Sequence, residues 1–178
     1  MDIFLTEFER LVREGFLQDL KQILSEVARE KVYACAFGTD SDLVTLFLAV
    51  NTEESLARHI ADMKSKGLCD DAESEIYYRW DCSEFQYGQE SHFNHISRFL
   101  YATEDTYQYK EEMVNILAKV VKETNNEFFA QYEQVKENIT FFVSMTDDEL
   151  AEELENQSVV LMTSPALVPS FLARYNDE

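Results

Sequence analysis

The sequence contains little proline, little glycine and few basic residues. Two prolines and four glycines in 178 residues are too few for long flexible linkers. Only 15 Lys and Arg stand against 35 Asp and Glu, so the formal net charge is -20. Such a field repels phosphate groups and attracts basic proteins, so we expect neither nucleic acid nor an anionic membrane as a target. An acidic excess also keeps a protein soluble, and that interpretation stays open beside partner binding.

Long apolar runs and paired cysteines are also missing. No stretch approaches the roughly 20 apolar residues that a membrane helix needs. The first residues, MDIFLTEFERLV, lack the basic start and apolar core of a secretory signal. The odd cysteine count and unpaired spacing of Cys35, Cys69 and Cys82 indicate reduced thiols. We therefore expect a cytoplasmic protein.

Apolar residues, at 46% of the chain, are abundant enough for a core, and the length fits one domain over residues 1–178. The apolar spacing predicts a long amphipathic helix from Ile3 to Val27. The segments VYACAFGTD (32–40) and LVTLFLAVN (43–51) predict a central antiparallel hairpin over about 32–51. ITFFVSM (139–145) predicts a further strand.

Several helices and one more extended segment complete the prediction. The segment Ile76–Trp80 is aromatic-rich and is predicted to be a short strand or extended. Helices are predicted after the caps at 51–54, from near 90, over 107–122, over the acidic stretch 147–156 and after Pro165. The irregular alternation favours an α+β fold with a small, mainly antiparallel sheet packed by several helices.

A pair of histidines offers the clearest metal-like motif. His92 and His95 are spaced to lie on one face of a helix, but zinc needs a third or fourth ligand from His59, a cysteine or a carboxylate. No second cluster has that spacing, and surface or packing histidines are the ordinary alternative. We assign no metal, and an enzyme that uses His92, His95 and nearby carboxylates to bind a metal or small ligand stays as the alternative function.

The sequence contains no catalytic constellation. A Gly-rich phosphate loop, a nucleophile elbow and a dinucleotide fingerprint are all missing. Cys35 lies in a predicted buried strand, and Cys82 has acidic neighbours that disfavour a thiolate. Turn and cap chemistry explains the carboxylates at the hairpin ends, Asp40, Asp42, Glu53 and Glu54. We therefore assign neither a catalytic residue nor a cofactor.

Two segments are candidates for partner binding. The first is the aromatic stretch around Arg79, because aromatics and Arg anchor interfaces. Its alternatives are a structural plug, with Trp80 packed on the sheet and Arg79 paired with a carboxylate, or self-association. The second is the acidic helix, whose last-turn acids would oppose the helix dipole. The candidate residues are Tyr77, Tyr78, Arg79, Trp80, Glu84, Phe85, Asp147, Asp148, Glu149, Glu152 and Glu153.

Four segments, in their order along the chain, resemble a bacterial family known as a domain of unknown function. They are VYACAFGTD with LFLAVNTEE, then YYRWDCSEFQY, then ITFFVSMTDD, followed by a late Ser-Pro. The resemblance covers about 30–175, although Cys82–Phe85 stands where the family often has Pro-Ala-Glu-Trp. It brings no catalytic residues. Small acidic proteins of this kind often belong to toxin-immunity repertoires, a context that implies protein binding.

These observations together predict a non-enzymatic cytoplasmic protein with a basic protein as its partner. An immunity protein that masks a basic toxin domain is one such protein. The identity of the partner and the oligomeric state are left open by the sequence.

Overall fold

The computed structural model of this protein describes residues 2–27, 29–89, 91–146 and 150–175. The α-helices in these ranges are α1 (Ile3–Glu26), α2 (Glu53–Ser65), α3 (Ala72–Trp80), α4 (Phe93–Tyr101), α5 (Lys110–Glu123), α6 (Asn126–Ala130), α7 (Ala151–Met162) and α8 (Val168–Leu172). The strands are β1 (Val32–Thr39), β2 (Phe47–Thr52), β3 (Tyr87–Gln89) and β4 (Thr140–Met145). Within the described part of the chain, no helix is both long and apolar enough to cross a bilayer.

The four strands form one sheet in the order β3-β2-β1-β4. Strands β1 and β2 are antiparallel, as are β2 and β3, whereas β4 runs parallel to β1. Ala36 in the centre of β1 faces Ala49 on one side and Phe142 on the other. The structure thus confirms the predicted α+β class, the central hairpin and the later strand.

The alternation of side chains along the strands divides the core into two clusters. On the first face, Cys35 and Phe37 of β1 pack with buried residues of α1, α4 and α5, including Phe8 and Phe16. On the second face, Tyr33 and other residues pack in a smaller, more aromatic cluster. Both faces are covered, so β1 is buried along its whole length.

The prediction that Ile76–Trp80 is a short strand or extended is wrong, because these residues form the C-terminal half of α3. The aromatic residues pointed to a strand, but local helix signals outweigh them. The Asp71 carboxylate accepts a hydrogen bond from the Ser74 amide at 2.8 Å and caps the helix. Acids in the first turn and Arg79 in the last turn complement the helix dipole.

The second predicted strand begins later than expected, at Phe47 rather than at 43. The Asp40 carboxylate accepts hydrogen bonds from the amides of Asp42 at 3.0 Å and Val44 at 3.2 Å, which closes a loop before the strand. Leu43 in this loop has a φ of 56°, which no strand residue adopts. The predicted acidic helix also begins later, at Ala151.

Candidate partner-binding surface

The aromatic segment lies mostly within the second core cluster. The Trp80 ring packs edge-on against Tyr33 at 5.9 Å, Phe142 at 6.4 Å and Phe171 at 5.0 Å between centroids. Phe85 packs in the same way against Tyr33 and Phe142. Trp80 therefore packs on the sheet, as the plug interpretation predicted.

Arg79 lies beside this cluster, where it forms an ion pair with Glu53 and a cation–π contact with Tyr33. Its guanidinium donates two hydrogen bonds to the Glu53 carboxylate, at 3.0 and 2.7 Å, and lies 4.3 Å from the centroid of the Tyr33 ring. The pairing with Arg79 lowers the pKa of Glu53. The Tyr33 hydroxyl donates to the Arg79 carbonyl at 2.7 Å. These contacts also match the plug interpretation.

A small polar cluster lies where α2 meets α3. The Glu84 carboxylate contacts the His59 ring nitrogen at 3.0 Å and accepts a hydrogen bond from the Tyr77 hydroxyl at 3.3 Å. The Tyr78 ring packs edge-on against His59. Tyr77 remains 48% exposed. This cluster leaves one aromatic side chain of the segment open to a partner.

The predicted histidine pair is not assembled into a metal site. His92 precedes α4, and its Nδ1 lies 2.6 Å from a carboxylate oxygen of Asp19, which is buried. Asp19 also accepts hydrogen bonds from the amides of His92 and Phe93, so it caps α4 from α1. His95 is exposed. Among the described residues, no group of three His, Cys, Asp or Glu side chains is placed to hold a metal ion.

All three cysteines are buried and unpaired. Burial raises the pKa of the Cys35 thiol, and it raises the pKa of Cys82 to about 11. A thiol with a raised pKa is protonated at neutral pH, and only the thiolate is a good nucleophile. These positions therefore do not support cysteine catalysis.

A buried ion pair joins α7 to the C-terminal segment, and the sequence did not predict it. The Arg174 guanidinium lies 2.6 Å from the Glu155 carboxylate, donates to the Asn156 side chain at 2.7 Å and stacks 3.8 Å from the Phe171 ring. The Ser144 hydroxyl donates to Glu155 at 2.9 Å. The sequence held one indication of this pair, because Arg174 is the only basic residue after Lys136 and the acids of α7 lie in the same stretch.

This buried pair is saturated with contacts. Burial raises the pKa of Glu155, and the hydrogen bond from Arg174 opposes that shift. In the described ranges, every buried side-chain nitrogen or oxygen has a hydrogen-bond partner. The pair therefore fastens the C-terminal segment to the second face of the sheet and leaves no polar group for a ligand.

The outer side of α7 carries an open groove of about 890 Å³, which we call the α7 groove. Three of its apolar side chains remain exposed, Leu150 at 49%, Val160 at 58% and Leu172 of α8 at 37%. The full lining consists of Leu150, Glu152, Glu153, Asn156, Gln157, Val160, Leu161 and Leu172. A smaller groove of about 320 Å³, between α5 and α7, shares Leu150, Glu153, Gln157 and Leu161 with it.

The acids of α7 do not have the arrangement that the sequence predicted. Glu152 and Glu153 lie in the first turn, where they favour the helix dipole, and both are exposed. Glu155 points inward to Arg174. Asp147, Asp148 and Glu149, the other acidic candidates, lie outside the described residues. The structure therefore places two of the predicted carboxylates on the α7 groove.

The two groove carboxylates form no ion pair with a described residue, although Lys110 lines the smaller groove that shares Glu153. Glu153 accepts a hydrogen bond from the uncharged side chain of Gln157 at 3.0 Å. Among the described residues, no Lys, Arg or His forms an ion pair with Glu152 or Glu153. The α7 groove thus combines exposed apolar side chains with two carboxylates that have no ion-pair partner among the described residues.

A family model described as a domain of unknown function, DUF4303, matches residues 13–161. Searches of curated proteins and of solved structures give no match. The matched range contains the whole sheet, Trp80 and the groove residues of α7, whereas Phe171, Leu172 and Arg174 lie beyond it.

Proposed function

This chain belongs to the DUF4303 family, and we propose that it is a non-enzymatic module that binds a basic protein through the α7 groove. The observation that carries the proposal is the lining of that groove. Its exposed Leu and Val side chains lie beside two carboxylates, and the described lining contains no Lys or Arg. Apolar patches rimmed by polar groups are typical of protein interaction sites.

The apolar part of the groove supplies the driving force for binding. Covering exposed apolar surface is worth about 25 cal/mol per Å² before the costs of association are subtracted. Leu150, Val160 and Leu172 are the side chains that a partner would cover. A partner with apolar side chains at these positions would gain affinity without any rearrangement of the core.

The charge of the protein supplies the selectivity. A net charge of -20 steers positively charged proteins toward the chain and repels acidic ones. The acids of the groove concentrate this preference at the point of contact, and the sequence places three further acids, Asp147 to Glu149, immediately before Leu150. We therefore expect affinity for the partner to fall as salt rises.

The aromatic segment has less support as the binding site. Trp80 and Phe85 are engaged in the second core cluster, and Arg79 is engaged with Glu53. An anchor residue must be able to leave its own protein and enter a pocket of the partner. Among the aromatic candidates of this segment, Tyr77 is the most exposed, at 48%, so we retain it as a secondary contact.

At a finer level, we propose that the partner is a basic toxin domain and that this protein provides immunity by masking it. The acidic surface would compete with phosphate for a basic cleft. Small acidic proteins of this kind often belong to toxin-immunity repertoires, and that association supports this proposal. The alternative of a metal-dependent enzyme has less support, because no described group of three His, Cys, Asp or Glu side chains includes His92 or His95.

The test is capture of the partner by tagged protein from the cytoplasm in which it is expressed, with washes at low and high salt. We expect a basic protein, identified by mass spectrometry, to be retained at low salt and released at high salt. An empty capture at both salts, or a captured protein that is acidic, contradicts the proposal.

A charge-reversal pair then tests the site. Glu152→Lys with Glu153→Lys should weaken the affinity for the captured protein at least about tenfold. The matched control is Glu73→Lys with Glu112→Lys, two exposed first-turn glutamates of α3 and α5, because it changes the net charge equally. Equal losses for the two pairs would mean that only the net charge matters, and no loss for the first pair would exclude the α7 groove.

A further inference from the structure

We propose that the α7 groove receives an amphipathic helix of the partner. Its apolar anchor packs against Val160 and Leu172, and its Lys or Arg side chains lie about two turns away, opposite Glu152 and Glu153. This inference rests on the proposed function, since it names the occupant of the same groove. The sheet edges decide whether a partner chain can bind as an added strand.

The outer edge of β4 is already occupied by side chains from α7 and the residue that follows it. The Phe141 amide donates to the Thr163 hydroxyl at 2.7 Å, and the Val143 amide donates to the Ser158 hydroxyl at 2.8 Å. The Thr163 hydroxyl in turn donates to the Phe141 carbonyl at 2.7 Å. These are the backbone groups that an added strand would need. Strand addition at β4 is therefore blocked.

The opposite edge of the sheet offers little more. Strand β3 has three residues, Tyr87–Gln89, and short edge strands are poor templates for pairing. The described sheet therefore provides no long open edge for a partner strand. A partner would then be recognised by side chains, and the α7 groove, between α7 and α8, combines exposed apolar side chains with two carboxylates.

The spacing along α7 defines the pattern that the partner should carry. Glu152 and Val160 are eight residues apart, which corresponds to about 12 Å along a helix axis. A partner helix lying along α7 would bring side chains seven or eight positions apart to these two places. The acidic end of the groove selects Lys or Arg, and the end at Val160 and Leu172 selects Leu, Ile or Phe.

The experiment uses three fluorescein-labelled helical peptides and the full chain. The matched peptide has Leu anchors and Lys side chains seven and eight positions away on the same face. The shifted peptide has the same composition with its Lys side chains moved to the opposite face, and the swapped peptide has Glu in place of Lys. In fluorescence anisotropy, we expect the matched peptide to bind at least about tenfold more tightly than either of the others, because only it pairs charge and apolar contact together.

Two variants tie this binding to the groove. Val160→Lys should weaken the matched peptide at least about tenfold, whereas Val135→Lys should not, although Val135 has a similar exposure of 54%. Glu152→Lys with Glu153→Lys should prefer the swapped peptide to the matched one. That reversal of preference is a gain of binding, which an unfolded variant could not produce.

The outcomes separate this inference from the proposed function. Equal binding of the matched and shifted peptides, or equal loss in Val160→Lys and Val135→Lys, overturns the helical occupant. If a basic protein is still captured and still lost on charge reversal of Glu152 and Glu153, the proposed function stands without it. Failure of both the peptides and the capture rejects the proposed function as well.

Discussion

The two faces of the sheet are stabilised in different ways. The first face is covered mainly by α1, α4 and α5, and its core is large and mainly aliphatic. The second face has a smaller core that is rich in aromatic rings, and two Arg–Glu pairs lie beside it, Arg79 with Glu53 and Arg174 with Glu155. The first face is stabilised mainly by many buried aliphatic side chains, whereas ring contacts and two ion pairs contribute more to the second.

The α7 groove lies beside both cores, because α7 contributes Leu154 and Met162 to the first cluster and Val159 to the second. Val159 of α7 and Phe171 of α8 are buried in the second cluster, while Val160 and Leu172, their immediate neighbours, line the groove. The position of the groove wall therefore depends on the contacts that fasten α8. The following predictions test the comparison of the two faces, in order of decreasing effect.

The largest effect is expected at the buried pair of the second face. Arg174→Met keeps the volume but leaves the Glu155 carboxylate buried without a cation, so the free energy of unfolding should fall by about 3–5 kcal/mol. Chemical denaturation measures this. Adding Glu155→Leu should restore most of the loss, since no unpaired charge remains. A loss below about 1 kcal/mol would show that the pair is not essential to the second face.

The same variant should have a distinctive pH dependence. Burial raises the pKa of Glu155 in the folded state, so its contribution to stability is complete below the unfolded pKa and is lost as pH rises through the folded pKa. Removing Arg174 raises the folded pKa further and deepens that loss. Arg174→Met should therefore be more destabilising, relative to the wild type, at pH 7 than at pH 5. The opposite order would contradict this account.

The second largest loss of stability is expected on the first face, at the buried carboxylate of Asp19. Asp19→Ala removes the acceptor for the amides of His92 and Phe93, and should lower the free energy of unfolding by about 2 kcal/mol. The matched control is Asp71→Ala, the exposed cap of α3, for which we expect a smaller loss of stability. Equal costs for both would mean that burial of the cap does not matter.

The smallest effect is expected at the outer pair of the second face. Arg79→Met breaks the ion pair with Glu53 and the contact with the Tyr33 ring, but Arg79 is one-third exposed, so we expect a loss of about 1 kcal/mol. Arg10→Met, at a half-exposed pair on α1, should lower the melting temperature less than Arg79→Met does. Thermal denaturation of both variants would show whether the two Arg–Glu pairs of the second face differ as their burial implies.

The elements of the first face were the easier ones to predict. The spacing in α1 and the apolar runs of β1 and β4 are local patterns, and the structure has these elements close to the predicted bounds. The segment 76–80 was mispredicted because its aromatic residues favour strands, while the cap at Asp71 lies five residues earlier. The start of β2 was mispredicted because the hydrogen bonds of Asp40 close a loop over residues of high strand propensity.

The candidate surface was predicted only in part. Its carboxylates could be found, because acidic side chains in series are visible in the sequence. Its apolar wall could not, because Val160 and Leu172 come from two different helices, and nothing local shows that one side of each helix stays uncovered. Asp19 and His92, 73 residues apart, likewise meet only through the packing of α1 against α4.

From the sequence alone follow the α+β class, the central hairpin and the negative field, and the proposal of a basic partner starts from that field. Composition and short-range periodicity are properties of neighbouring residues, so they need no knowledge of the fold. Only the tertiary structure decided which aromatic residues are buried. It also decided which glutamate of α7 pairs with an arginine and which two lie on the α7 groove without an ion-pair partner among the described residues. Burial and pairing depend on residues that are distant in the chain, and packing alone brings these together.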